Sequence, residues 1–160
     1  MNNIDNEIVI YTDGSCHTQL KTGAWAAIIL IDEKEEILLN DIEIDTTHNR
    51  MELLSVIKAL DYIKEHHFEK YKITVKSDSQ YVIGIKNRTK KLTASGFMTK
   101  KEEPVQNVDL LKQLISLSNS LNVEFIKVKA HQKKTDIRNY NRVVDKISRK
   151  LVRDYVKKNC

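Results

Sequence analysis

Ile8-Val-Ile-Tyr-Thr-Asp-Gly-Ser15 is the stretch on which the reading of the fold turns. Its β-branched and aromatic run, Ile8 to Tyr11, predicts a strand. Asp13 then falls at the expected tip of that strand, and Gly14 follows where a residue without Cβ lets the backbone turn sharply. A carboxylate on a rigid, buried support is well placed to hold a metal. A lone Asp-Gly pair is equally a simple turn. What sets this one apart is that Glu52, Asp78 and Asp145 recur at comparable element ends, without bases to balance them.

Working outward, Cys16 to Thr22 is polar and reads as a loop, and Gly23 to Ile31 is a nearly continuous apolar strand. A charged turn, Asp32 to Glu36, leads into a third strand from Ile37 to Ile44. Short links between three strands predict an antiparallel meander. From Asn49 to His66 the period changes: Leu53, Ile57, Leu60 and Ile63 recur at helical spacing, with Thr46, Thr47 and Asn49 as cap candidates. Tyr71 to Ser77 is a strand ending at Asp78. A helix starts near Ser79 and fades by Asn87, and residues 88–103 read as basic and irregular. Val108 to Leu117 predicts a helix, Val123 to Lys129 a strand, and Val143 to Tyr155 the last helix. The expected fold is α/β: a five-stranded mixed sheet, three strands antiparallel and then two parallel, with helices on both faces. Ligands of such sheets gather beyond the carboxyl ends of the strands.

The length of 160 residues fits one domain over 1–160, with no linker-like tract and no separate nucleic-acid-binding domain expected. The start lacks the pattern of a signal peptide, and the longest apolar run, Ala24 to Ile31, is too short to span a bilayer. Cys16 and Cys160 show no pairing pattern, so a reduced, cytoplasmic setting is expected. The net charge of +5 hides an asymmetry. Residues 1–52 hold 3 bases and 11 acids, whereas residues 53–160 hold 24 bases and 11 acids. The basic part points to a polyanionic partner.

Each acid also has a plain explanation. Glu52 could close a capping box, Asp78 could cap the next helix, and Asp145 could be a first-turn acid. His131 could be an idle loop histidine. Together, however, Thr12-Asp13-Gly14-Ser15, Thr46-Thr-His-Asn-Arg-Met-Glu-Leu53, Ser77-Asp78-Ser-Gln-Tyr-Val82, Val128-Lys-Ala-His131 and Asn141-Arg-Val-Val-Asp145 resemble the signatures of type 1 ribonucleases H. Pro104-Val-Gln-Asn-Val-Asp-Leu110 is similar to the segment after that family's basic protrusion. The likeness runs from Ile8 to Arg153 and implies a ribonuclease H-like fold.

It also implies a chemistry: an endonuclease that hydrolyses the RNA strand of RNA–DNA hybrids, leaving 5′-phosphate and 3′-hydroxyl ends. Phosphodiester hydrolysis needs an activated water and a relieved leaving oxygen, and two metal ions about 4 Å apart serve both. Mg2+, with Mn2+ as a substitute, favours oxygen donors such as Asp and Glu. By resemblance Asp13 bridges the ions, Glu52 and Asp78 lie on the leaving-group side, Asp145 lies on the water side, and His131 assists proton movement or product release. Cys16, His48, Asn49 and Gln80 match positions lining the RNA strand, where 2′-hydroxyls mark RNA. Glu52 would also touch one of those hydroxyls, and Thr47 matches a position on a DNA phosphate. Lys90, Lys91, Lys100 and Lys101 would grip further phosphates. The expected partner is therefore the hybrid, with no membrane, and the protein acts as a monomer.

The chain departs from the family at His17 to Thr22, which lacks the usual Gly/Pro-rich turn, and at Ala130, where Gly is usual. The loop between His131 and Asp145 is long and carries Lys133, Lys134 and Arg138, and Phe97 is the only aromatic of the protrusion. Two alternatives remain at this point. Strand-transfer enzymes and junction resolvases share the fold, but they generally lack a Glu placed as Glu52 is. A non-catalytic nucleic-acid-binding relic would have no reason to keep four repelling acids.

Overall fold

The computed structural model describes residues 6–129 and 138–160. Strands β1 (Glu7–His17), β2 (Thr22–Ile31) and β3 (Glu35–Glu43) form the meander. Helix α1 (His48–Glu65), strand β4 (Lys72–Ser77), helices α2 (Gln80–Ile83), α3 (Ile85–Ala94) and α4 (Val108–Ser120), strand β5 (Val123–Lys127) and helix α5 (Tyr140–Asn159) follow. The sheet order is β3-β2-β1-β4-β5, with β1, β2 and β3 antiparallel and β4 and β5 parallel to β1. The expected mixed sheet is therefore present.

Alternation along the strands explains the two layers. Ile8, Ile10, Ala27, Ile29 and Ile31 pack into the main core with Leu53, Val56, Leu60 and Ile63 of α1 and Leu111 and Leu114 of α4. Ala26 and Ile28 face the other way and meet Val144 of α5 in a much smaller cluster. That double covering is why β2 reads as one unbroken apolar run. At the start of α1, the Thr47 hydroxyl accepts a hydrogen bond from the Arg50 amide at 3.3 Å. Arg50 then clamps α1 to α4 by a bidentate contact with Asp109, 3.0 and 2.9 Å. The guanidinium holds the Asp109 carboxyl down at about 2.

Two expectations are corrected. The first strand does not end at Asp13. It continues through Gly14 to His17, with Asp13 opposite Ala26, Gly14 opposite Trp25 and Cys16 opposite Gly23. Cys16 is thus in a strand rather than a loop. Gly14 serves a close approach, not a turn: a Cβ there would lie 2.6 Å from the Glu52 amide nitrogen and 2.6 Å from the Met51 carbonyl carbon. Second, residues 88–94 are helical. α3 has only Ile85 and Leu92 on its inner face, one heptad apart. Between them the Thr89 hydroxyl satisfies itself on the Ile85 carbonyl at 2.8 Å. So sparse an apolar stripe hides a helix that Lys and Arg otherwise favour. Beyond it, Gly96 and Phe97 adopt left-handed backbone, and Met98 bridges back to Pro104.

Gly14→Ala is expected to destabilise the protein by about 1–3 kcal/mol through overpacking, and to reduce activity more than that loss explains because α1 must shift. Denaturant unfolding together with turnover checks this; an alanine variant of normal stability would show that α1 does not press on β1.

Candidate active site

Parallel pairing of β1 with β4, Tyr11 opposite Lys76, brings Asp13 and Asp78 to the same end of the sheet. The crossing at Gly14 then sets Glu52 of α1 beside them. One carboxylate oxygen from each of Asp13, Glu52 and Asp78 lies within 4.8 Å of the others. Asp13 is 4 % exposed and Glu52 2 %. Asp145 arrives from α5; it is not one of the three acids whose oxygens converge within 4.8 Å, but its charge adds to the repulsion on Asp13. It also has Arg149 of its own helix at 3.8 Å.

The plain explanations of these acids do not hold. The cap of α1 is Thr47, five residues before Glu52, so no capping box forms. The cap of α2 is Ser79, whose hydroxyl accepts from the Val82 amide at 3.3 Å. Asn139 caps α5 by accepting from the Arg142 amide at 3.2 Å, and the first turn of that helix carries no acid.

The electrostatics follow from burial. Desolvation, then the charges of Glu52, Asp78 and Asp145, push the Asp13 carboxyl from 3.8 up to about 10. Burial also raises Glu52, partly offset by the His48 ring, whose Nε2 is 3.1 Å from Oε1. That hydrogen bond in turn raises His48. The other Glu52 oxygen, Oε2, is buried without a hydrogen-bond partner. Oxygen donors of one sign, one of them unsatisfied, suit a hard divalent cation.

The remaining expected residues lie around this cluster. Cys16 is half-buried, with Sγ 3.7 Å from the Thr46 carbonyl. Asn49 is exposed on the first turn of α1. Gln80 opens α2, and its Oε1 accepts from Lys127 Nζ at 3.2 Å. Lys90 and Lys91 project from α3, and Lys100 and Lys101 from the excursion after it, all exposed. His131, with Ala130, Lys133 and Lys134, lies outside the described residues.

Sequence reasoning missed a network that ties these parts together. Arg50 also donates to Asn107 Oδ1 at 3.4 Å, and the Asn107 amide donates to the Tyr81 hydroxyl at 3.2 Å. The Arg88 guanidinium stacks 4.8 Å from the Tyr81 ring centre. A chain of contacts thus runs from the first turn of α1 to basic α3. No periodicity announces it, because Asn107 takes its place through left-handed backbone.

The RNase H family model matches residues 5–153. The chain belongs to the ribonuclease H family. It is similar to ribonuclease H of Caldicellulosiruptor saccharolyticus, 35% identical over 150 residues covering 92% of this chain and 97% of that protein. Ribonuclease H of Ehrlichia chaffeensis is 37% identical over 148 residues, covering 92% and 95%. Among solved structures, the type 1 enzyme LC9-RNase H1, described as having a type 2 active-site motif, superposes with TM-score 0.77 at 19% identity over 96% of this chain and 75% of that one. LC11-RNase H1 in complex with RNA/DNA hybrid superposes at 0.68, 15% identity, over 94% and 99%. The protein is a ribonuclease H, an endonuclease for the RNA strand of RNA–DNA hybrids, and the family depends on divalent metal. Among the described residues no helix is long and apolar enough to cross a membrane.

A raised Asp13 makes the cation-free fold prefer acid. The folded state holds that proton more tightly than the unfolded chain, so its stabilising contribution is present below 3.8 and is lost as pH rises towards about 10. In chelator, thermal stability should therefore fall from mildly acidic to mildly alkaline pH. Asp13→Asn should flatten the fall and melt higher than the parent above neutrality; an unchanged slope would contradict the repulsion described above.

Proposed function

We propose that Asp13, Glu52, Asp78 and Asp145 hold two Mg2+ ions, replaceable by Mn2+, against the scissile phosphate of an RNA–DNA hybrid. The observation that carries this reading is the buried, one-signed carboxylate cluster with Glu52 Oε2 left unpartnered. Bound there, the cations supply charge neutralisation at the departing 3′-oxygen and acidify the attacking water. The chain's own part is to orient. Asp13 shares the 4.8 Å carboxylate cluster with Glu52 and Asp78, and Asp145 bears on it from α5. Glu52 is fixed by helix packing and by His48. Asp78 is held in the tight link between β4 and α2, where the Ser79 amide donates to Ser77 Oγ at 3.0 Å. His131 takes or gives a proton near the products, a role supported by the sequence resemblance alone.

Around the cluster, Cys16, His48, Asn49 and Gln80 face the RNA strand and test its 2′-hydroxyls. Lys127 occupies Gln80 Oε1, so the amide nitrogen of Gln80 is the group left to donate. Thr47 takes a DNA phosphate, with its hydroxyl bound to the Arg50 amide. Lys90, Lys91, Lys100 and Lys101 continue that track along the DNA backbone. Such contacts position the substrate without reading its sequence. The protein acts as a monomer, with residues 1–160 working as one domain. Two free cysteines fit a reducing, cytoplasmic compartment.

The test is cleavage of end-labelled hybrid, RNA duplex and DNA duplex, with and without Mg2+. Only the hybrid should be cut, and only with cation. Asp13→Asn should remove nearly all turnover, and His131→Ala should slow it by about 10²–10⁴-fold while leaving activity detectable. Cutting of the DNA duplex, or near-normal turnover by Asp13→Asn, would overturn the assignment.

Replacing Lys90, Lys91, Lys100 and Lys101 with Gln is expected to raise KM for the hybrid and flatten the salt dependence of binding. Each lost phosphate contact removes about 0.9 from the log–log slope, while kcat at saturation stays near that of the parent. Unchanged binding and slope would make this segment a solvated surface only.

A further inference from the structure

Three of the four acids ride on elements locked into the main core, whereas Asp145 rides on α5, which docks through a much smaller cluster. Tyr11 and Asp13 share the face of β1 that meets α5. Strand and helix therefore meet at two successive rungs. At the first, Tyr11 stacks on Tyr140 with ring centres 5.3 Å apart and planes inclined by 33°. At the second, α5 packs on β1 with the charge of Asp145 bearing on Asp13, acid against acid.

The attractive rung is built into a longer row. Lys76, the register neighbour of Tyr11 on β4, places its ammonium 5.4 Å from the Tyr11 ring centre. Arg138 lies 5.1 Å from the Tyr140 ring centre and donates to Glu36 Oε1 of β3 at 2.8 Å. The row Lys76–Tyr11–Tyr140–Arg138–Glu36 thus crosses β4, β1, the start of α5 and β3. As an exposed ion pair, Arg138–Glu36 contributes little to global stability. Each ring of the stacked pair also has its own cation near it, Lys76 for Tyr11 and Arg138 for Tyr140, which joins the first turn of α5 to both flanking strands.

We propose that this row is the positioning device for Asp145: it holds the start of α5 against β1 so that Asp145 reaches Asp13 despite their mutual repulsion. The proposal rests on the reading of Asp13 and Asp145 as cation ligands given above. Tyr11, Tyr140 and Arg138 are positioning residues that touch neither cation nor hybrid.

The experiment uses the full chain carrying Tyr140→Ala, Tyr140→Phe, Arg138→Ala, Val152→Ala or Asp145→Asn. Val152 is buried on α5 two turns beyond Asp145 and so reports loss of packing alone. The readouts are calorimetric Mn2+ binding without substrate, amide hydrogen exchange at the start of α5, and kcat and KM against cation concentration. Tyr140→Ala is expected to weaken the Asp145-dependent cation roughly two- to tenfold, the equivalent of one aromatic pair. It should speed exchange in the first turns of α5 and lower kcat at fixed cation, with KM for the hybrid unchanged and kcat restored by more cation. Arg138→Ala should do the same more weakly, without threatening the fold, and Tyr140→Phe should behave as the parent. Val152→Ala should lower the melting point without moving cation affinity. If Tyr140→Ala and Arg138→Ala merely copy Val152→Ala, the row is packing and the proposal is overturned. If Asp145→Asn leaves Mn2+ binding intact, the ligand assignment itself fails and the proposal falls with it, a result distinct from failure of the row.

Discussion

The close approach of α1 to β1 at Gly14 is the constraint on which the site depends. Only a residue without Cβ permits it, since any side chain would begin 2.6 Å from the backbone of Met51 and Glu52. Because the backbones touch there, Glu52 needs no long or flexible reach to stand beside Asp13. The main core under α1 then fixes that juxtaposition: Leu53, Val56, Leu60 and Ile63 are all fully buried against Ile8 and Ile10. Rigidity of this kind matters because acids that could swing apart would relieve their repulsion and lose the site.

The second consequence is electrostatic. Burying one carboxylate beside others disfavours its charged form by desolvation and by like charge together, and Asp13 carries both penalties at once. Among the described residues, partial local relief comes from His48 on Glu52 and Arg149 on Asp145, both exposed. A stability optimum would have put a base among the acids. Glu52 Oε2 is left buried without a hydrogen-bond partner among the described residues, as suits a carboxylate in a family that depends on divalent metal.

Much of this was legible in the sequence because it rests on strong periodicity or on contiguous motifs. The meander, α1, β4, α4, β5 and α5 all announced themselves by period and flanking residues, and the four acids by where they fell among those elements. What escaped reading did so for identifiable reasons. Asp-Gly is a turn signal in isolation, and only the partner helix reveals that Gly14 makes room within a strand. α3 hides behind a single pair of apolar residues, Ile85 and Leu92. The Arg50–Asn107–Tyr81 network and the Tyr11–Tyr140 row join residues far apart in sequence, with no spacing rule to connect them. His131 remains a reading from its motif, outside the described residues.

Part of the charge asymmetry seen along the sequence is laid out in space by the strand order. β3, which carries Glu35, Glu36, Asp41 and Glu43, is one edge of the sheet, and β5 is the other. Basic α3 is tied to the β5 edge, where Lys86 binds the Val123 carbonyl and lies 5.7 Å from the Phe125 ring centre. The acid cluster sits between, where Asp13 of β1, Asp78 just past the end of β4 and Glu52 of α1 converge. The β3 side is not purely acidic, because α5, with Lys146, Arg149, Lys150 and Arg153, lies against β1 and β2 and reaches β3. The acids of β3 blunt it as an open edge, since charged side chains discourage strand-to-strand association. That protection is visible only once the chain folds β3 to the outside of the sheet, because nothing in the local sequence says which strand is left unpaired.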